Sequence, residues 1–323
     1  MNKDKDIDNI FSNNLENEIN KKIKSDRKKL NLKLTCITIV STLVIIILGH
    51  LSLNFLSNKY TSKQFQKEIN IKTAEYLVKY PNEYIGHQRC IQTGYFKYQS
   101  TYDISKKIGS KVIYNGSLNQ LGGLDKNTFS KESSFIDEDH SVLDNNINNR
   151  SNNEYGLRSL NFMYPYVDYE NTINDFNMLD EISNNKTVEM ALSFDKEYNY
   201  DEVNNFIDKD LITFYWVNAS NEENKNYETE NKAYEDERSA IGIKSTDYNG
   251  ATINDVNKRL EKFKYSLNFL IDNWEYGVVD YSFNLDNPKI NGVVVVGTPN
   301  ELKKLQNNSI IKHAILGTVT NKY

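Results

Sequence analysis

A run of 23 residues, Leu34 to Leu56, contains no Asp, Glu, Lys or Arg, and Lys33 and Lys59 bracket it. Its centre, Cys36 to Leu48, is dense in Ile, Val and Leu. At about 1.5 Å rise per residue, a helix of this length crosses a bilayer hydrocarbon core of roughly 30 Å. A core helix of a soluble protein would show a polar face instead. A cleaved signal peptide fits less well, because the basic flank is long and the apolar run exceeds a usual h-region. LNFLSNK at 53–59 also holds no small-x-small cleavage site. The run reads as an uncleaved signal anchor, with His50 a passive polar residue near one end.

Flanking charge orients the span. Residues 20–33 hold Lys21, Lys22, Lys24, Arg27, Lys28, Lys29 and Lys33 against Asp26, and the outer flank holds Lys59, Lys63, Lys67 and Lys72. The denser basic flank stays in the cytoplasm. The expected organisation is a cytosolic tail at 1–33, a transmembrane helix at 34–56, and an extracytoplasmic remainder. That remainder divides into a membrane-proximal region at 57–125, an Asn-rich linker at 126–156, and an α+β domain at 157–323. The tail carries nine Lys/Arg against six Asp/Glu, and the rest of the chain 30 against 38. An acidic outer part argues against direct nucleic-acid contact. Of the two cysteines, Cys36 falls in the span and Cys90 outside, so no internal disulfide is expected.

The tail repeats an apolar pattern. Phe11, Leu15, Ile19, Ile23 and Leu30 fall within about 120° of a helical wheel, with Ile7 and Ile10 beside them. Glu16, Glu18, Lys21, Lys22 and Lys24 take the other face, and Asp4, Asp6 and Asp8 suit a helix N-terminus. An isolated helix of this length is marginal in water, so something must cover the stripe. Three covers stand level on the pattern alone. The helix lies on an anionic leaflet, it is an unstructured stop-transfer flank, or it docks in a groove on a cytosolic partner.

Beyond the span, Phe65, Ile69, Tyr76 and Leu77 continue a helical spacing that ends before Pro81. Residues 94–114 read as short strand runs, with Gly109 and Gly116 at turns. TVEMALSF at 187–194 alternates, with Val188, Met190, Leu192 and Phe194 on one face. A helical stripe follows at Tyr200, Val203, Phe206 and Ile207, then a buried strand at 211–217 (LITFYWV). This strand–helix–strand unit leaves room for a parallel crossover. An acidic insert occupies 221–238. Ile253, Val256, Leu260, Phe263, Leu267, Leu270, Ile271 and Trp274 then form one face of a long helix, with Asp255, Lys258, Arg259, Glu261 and Lys262 outside. The strand INGVVVVG (290–297) leads into Thr298-Pro299-Asn300-Glu301, a capping box with proline at the first helical position. Leu302 and Leu305 point inward, Asn307 and Asn308 end that helix, and 314–319 is the closing strand. The fold class is α+β, with helices on one face of a sheet, in an arrangement compatible with a ferredoxin-like order.

No catalytic or cofactor motif is present: no G-x-S-x-G, P-loop, G-x-G-x-x-G or H-E-x-x-H occurs. IDEDHS at 136–141 matches no metal loop, and His87 with Cys90 lacks the context of a thiol site. No catalytic residue, cofactor or metal is therefore expected. A cell-surface binding or structural module, or an anchored enzyme with a dispersed site, stays open beside a regulatory role.

A basic tail running into a single span, then YPN (80–82), YDISKKIGSKVIY (102–114), VEMALSFDKEYNYDEV (188–203), ITFYWV (212–217), GVVVVGTPNELKKL (292–305) and ILG (315–317), resembles the bacterial sigma-factor regulator family of single-pass membrane anti-sigma factors. The Asn-rich and acidic inserts depart from that pattern, and the tail lacks the His/Cys set of the zinc-containing anti-sigma class. The resemblance implies that the tail sequesters an extracytoplasmic-function sigma factor. Ile10, Phe11, Leu15, Ile19 and Ile23 would be its contact residues. It also implies a lipid bilayer as anchor and an unknown outer signal or protease as trigger.

Overall fold

The computed structural model describes residues 3–124, 132–133, 152, 156–273 and 284–322, with backbone only at 3–14 and 132–133. The IDEDHS segment, nearly all of the Asn-rich linker, Trp274 and the side chains of Ile10 and Phe11 lie outside the described residues. The chain divides into two compact units, 1–60 and 61–323.

Helix α1 (Lys3–Val78) contains the tail, the apolar run and the stretch after it. Gly49 is its sole glycine, and the first proline, Pro81, comes three residues past its end, so no residue within it forces a break. Every residue from Leu15 to Leu53 is exposed. The helix is long and apolar enough to cross a membrane, and none of its most apolar window is buried.

In the second unit, Phe65, Ile69 and Tyr76 of α1 pack with Ile85, Tyr102 and Ile104. Those residues come from an antiparallel meander of β1 (Glu83–Gly94), β2 (Lys97–Ile108), β3 (Lys111–Gly123) and β4 (Glu132–Ser133). The short strand runs expected at 94–114 are thus parts of longer strands. Gly109, at φ 62°, makes the expected turn. Gly116 does not: at φ 99° it lies within β3, where Asn115 and Gly116 together oppose Ile104 between the Asp103–Ser117 and Ser105–Tyr114 pairs. This is a β-bulge, which needs an extra residue and favours glycine at positive φ.

The larger sheet contains β6 (Lys186–Asn199), β7 (Ile212–Val217), β9 (Gly242–Lys244), β10 (Lys289–Gly297) and β11 (Ile311–Asn321). Their order is β11-β6-β10-β7-β9, with every neighbouring pair antiparallel. β6 and β7 run parallel to each other, but β10 lies between them. The unit read as a direct crossover is therefore a split β-α-β, and the order β11-β6-β10-β7 is that of a ferredoxin-like sheet.

Helices α2 (Tyr200–Phe206), α4 (Val256–Asn273) and α5 (Pro299–Lys303) cover one face. Val203, Phe263, Leu267 and Leu302 meet Met190, Leu192, Val293 and Val295 there, together with Ala74 and Val78 of α1. The second face is covered too. Ala191, Phe214, Trp216, Val294 and Ile315 lie under Leu160, Phe162, Met163 and Tyr164. Above them β5 (Asn161–Met163) pairs with β8 (Tyr234–Asp236). The acidic insert is ordered, forming β8 and helix α3 (Glu222–Glu230), capped by Asn221.

Three expected positions differ. Arg259 is buried, and its guanidinium donates to the carbonyls of Ile253 and Ile212 at 2.7 and 3.3 Å. Phe206 and Ile271 are half exposed, on the outer sides of their helices. The capping box at Thr298 and Glu301 forms as expected, although α5 stops at Lys303.

Candidate functional site

Two features stand out, one in each unit. The first is the tail face of α1. Leu15, Ile19, Ile23 and Leu30 are 46–60% exposed, so the stripe is uncovered along its described length. Tail positions 10 and 11 are helical in backbone.

The second is a group of buried charges where the meander meets the larger sheet. β2 alternates, and its inward face includes Lys106 among tyrosines and isoleucines. The Lys106 ammonium contacts Glu189 of β6 at 3.1 Å and Glu237, just past β8, at 3.0 Å. Glu189 also accepts from Asn82 Nδ2 at 2.7 Å and from the Thr318 N–H at 3.2 Å. Glu83, paired across the meander with Lys106, accepts from Asn115 Nδ2 at 2.7 Å. Lys244 of β9 donates to the carbonyls of Tyr76, Tyr80 and Glu83, at 2.8 and 3.0 Å for the first two. It thereby satisfies carbonyls at the C-terminal end of α1, where a cation is favoured by the helix dipole. Gly317 permits this packing: a Cβ there would stand 2.8 Å from Glu189 Oε2.

Burial acts against the charged forms of Lys106, Glu237, Glu83 and Lys244. It opposes the Lys106 ammonium, but the carboxylates of Glu189, Glu237 and Glu83 outweigh it and hold the group above the usual lysine range. Burial pushes the Glu237 carboxyl up to about 8, with Lys106 resisting and Glu189 and Glu83 adding to the rise. Burial likewise raises Glu83. It drives Lys244 down to about 7, against the pull of Glu83.

No local pattern in the sequence marks this seam. Glu189 alternates with Val188 and Met190 and reads as a solvent-facing acid, which holds only for a sheet with one covered face. Elsewhere, His87 and Cys90 lie three residues apart on β1 and so point to opposite faces. Burial raises the Cys90 thiol further from reactivity. Among the described residues, no three His, Cys, Asp or Glu are grouped to hold a metal ion.

The family profile described as sigma factor regulator N-terminal matches residues 20–113, and the one described as sigma factor regulator C-terminal matches residues 179–318. The chain belongs to the sigma factor regulator family. No curated protein and no solved structure matches it. Membership in this regulatory family supports an anti-sigma role with a sigma factor as partner, and the exposed apolar helix supports a membrane anchor. The seam joins the two matched regions: Asn82, Glu83 and Lys106 come from the first, and Glu189, Glu237 and Lys244 from the second. The Asn-rich insert falls between the matches. Of the tail stripe, Ile23 lies inside the first match, while Ile10, Phe11, Leu15 and Ile19 precede it.

Proposed function

We propose that this sigma factor regulator is a single-pass membrane anti-sigma factor. Its cytosolic tail helix sequesters an extracytoplasmic-function sigma factor, and its outer domain regulates release. Ile10, Phe11, Leu15, Ile19 and Ile23 form the contact. The uncovered stripe at Leu15, Ile19 and Ile23 carries this reading within a chain of this family. Large apolar side chains at i, i+4 and i+8 are the anchors of a helix that binds in a groove. Tethering to the bilayer raises the tail's effective concentration near other membrane-bound components. Occupying the sigma factor's surface for core RNA polymerase would keep it inactive, and release would follow loss of the tail contact. The proposed organisation keeps the tail at 1–33, the span at 34–56 and the regulatory domain outside.

The test is capture from cells by the full chain, solubilised with its membrane segment, beside Phe11→Asp/Leu15→Asp/Ile19→Asp. A sigma factor retained by the native chain and lost from the membrane-inserted triple variant supports the contact. Equal retention by both chains removes the stripe from the mechanism, and no sigma factor on either removes sequestration by the tail.

A further inference from the structure

The seam holds an unbalanced set of charges. Three carboxyl groups, Glu83, Glu189 and Glu237, share the buried volume with two amines, Lys106 and Lys244. Lys244 spends its donors on backbone carbonyls, so Lys106 is the ammonium that directly meets two carboxyls. Two buried carboxylates cannot both keep full charge against one cation without a large desolvation cost. Donors decide between them. Glu189 accepts from three donors, Lys106, Asn82 and the Thr318 amide. Among the described residues, Lys106 is the one donor to Glu237. Glu237 is also the less enclosed of the pair, its side chain 11% exposed against 0% for Glu189, so its proton has the shorter route to water.

We propose that Glu237 holds a proton at neutral pH and that its loss in mild alkali loosens the seam between the membrane-proximal meander and the larger sheet. Deprotonation leaves two adjacent buried carboxylates on one ammonium, and their repulsion acts directly between β6, β2 and the turn after β8. The other groups facing this site are Glu83 on β1, Asp236 on β8, Lys244 on β9, Arg238 beyond β8, and Glu75, Tyr76 and Tyr80 at the end of α1. Burial acting on Glu237 agrees with a titration in the alkaline range. Because these charges titrate together, the proton belongs to the cluster, with Glu237 its favoured seat. The device stands independently of what the tail binds.

The experiment uses the full chain in lipid nanodiscs, native and Glu237→Gln, the neutral isostere. Infrared difference spectra read the protonated carboxyl directly, and amide hydrogen exchange reads the protection of β2. The native chain should show a protonated-carboxyl band at pH 7 that disappears by pH 9.5 and is absent from Glu237→Gln. At pH 5, near the ordinary carboxylate range, the two chains should exchange β2 amides at similar rates. At pH 9 the native chain should exchange at least tenfold faster than the variant, a comparison at equal pH that cancels intrinsic exchange. A band that persists in the variant, or a native-to-variant exchange ratio that does not change with pH, overturns the proposal.

Discussion

The helix from Leu15 to Leu53 and the seam around Lys106 pose opposite problems. The first presents large aliphatic side chains that no described residue covers, and the second encloses charges that water would otherwise solvate. Exposed apolar area is stabilised only from outside; in the proposed organisation lipid covers the span and a sigma factor the tail. Enclosed charge is compensated only from inside, by the opposite charge and by donors at hydrogen-bond distance. The stem therefore depends on its surroundings, whereas the seam depends on its own stoichiometry. Substitutions should separate the two cleanly.

The largest effect is expected from Lys106→Met. It leaves Glu189 and Glu237 side by side without their cation, and removing one partner of a buried ion pair costs about 3–5 kcal/mol. Denaturant unfolding of the full chain in detergent, followed by tryptophan fluorescence, should show that loss. A shift below about 1 kcal/mol would mean that water already reaches the site and screens it.

A paired truncation sharpens the comparison. Leu267 is fully buried in the main core, so Leu267→Ala should destabilise the second unit by about 2–5 kcal/mol. Leu15 is 60% exposed, and Leu15→Ala should leave the unfolding midpoint where it was while weakening sigma-factor capture several-fold. If Leu15→Ala also lowered the midpoint, the tail would have a cover within the protein.

These two leucines also mark how far the sequence could be read. Both lie on helical stripes, and periodicity finds such stripes whether the partner is internal or external. The span, α4, the Thr298 cap and the alternation of β6 were legible because each is a local pattern. The second cover on the sheet was not. It comes from residues 157–169 and β8, segments with little periodicity, and from the acidic insert. Tyr164 and Tyr166 there donate to Glu235 and Glu228, so the insert's acids secure the cover rather than solvate a loop. Once both faces are buried, Glu189 must be an interior acid. Lys106 and Asn82 are its long-range partners, separated in sequence beyond the reach of any window. Arg259 is the same error on a helix: one wheel position short of the stripe, it reads as surface, yet its donors end on the carbonyls of Ile253 and Ile212.

A smaller effect tests enclosure on the far edge of the sheet. His313 is buried on β11, with Nδ1 accepting from the Ile173 N–H at 3.2 Å and Tyr169 edge-on at 5.5 Å. Burial drives the imidazole down to about 4, with Lys312 adding to the shift. The unfolded chain then binds the extra proton between about pH 6.5 and 4. The contribution of His313 is complete above pH 6.5 and is lost as pH falls through that window, on the order of 1–3 kcal/mol. Glu237 has the opposite sign. Its raised value means that stability is complete below the ordinary carboxylate range and declines as pH rises toward 8. Native and His313→Gln chains measured together isolate the histidine, and parallel stability curves from pH 7 to 4 would show that it is already solvated.

The smallest effect asks whether local satisfaction matters where nothing is enclosed. Thr298 Oγ1 accepts from the Glu301 N–H at 3.4 Å, and Glu301 returns the bond to the Thr298 N–H at 2.8 Å. The Thr298 N–H and hydroxyl, both donating to Glu301 Oε2, hold that carboxylate below its usual range. Thr298→Ala removes one half of that exchange and should cost about 1 kcal/mol. The cap starts a helix of only five residues whose inward side chain, Leu302, is fully buried. If packing of Leu302 and Leu305 alone fixes α5, the loss will fall toward zero. If the cap sets the entry of the chain onto the sheet, Thr298→Ala and Leu302→Ala combined will cost less than the sum of the two alone, because each substitution removes the same ordered turn.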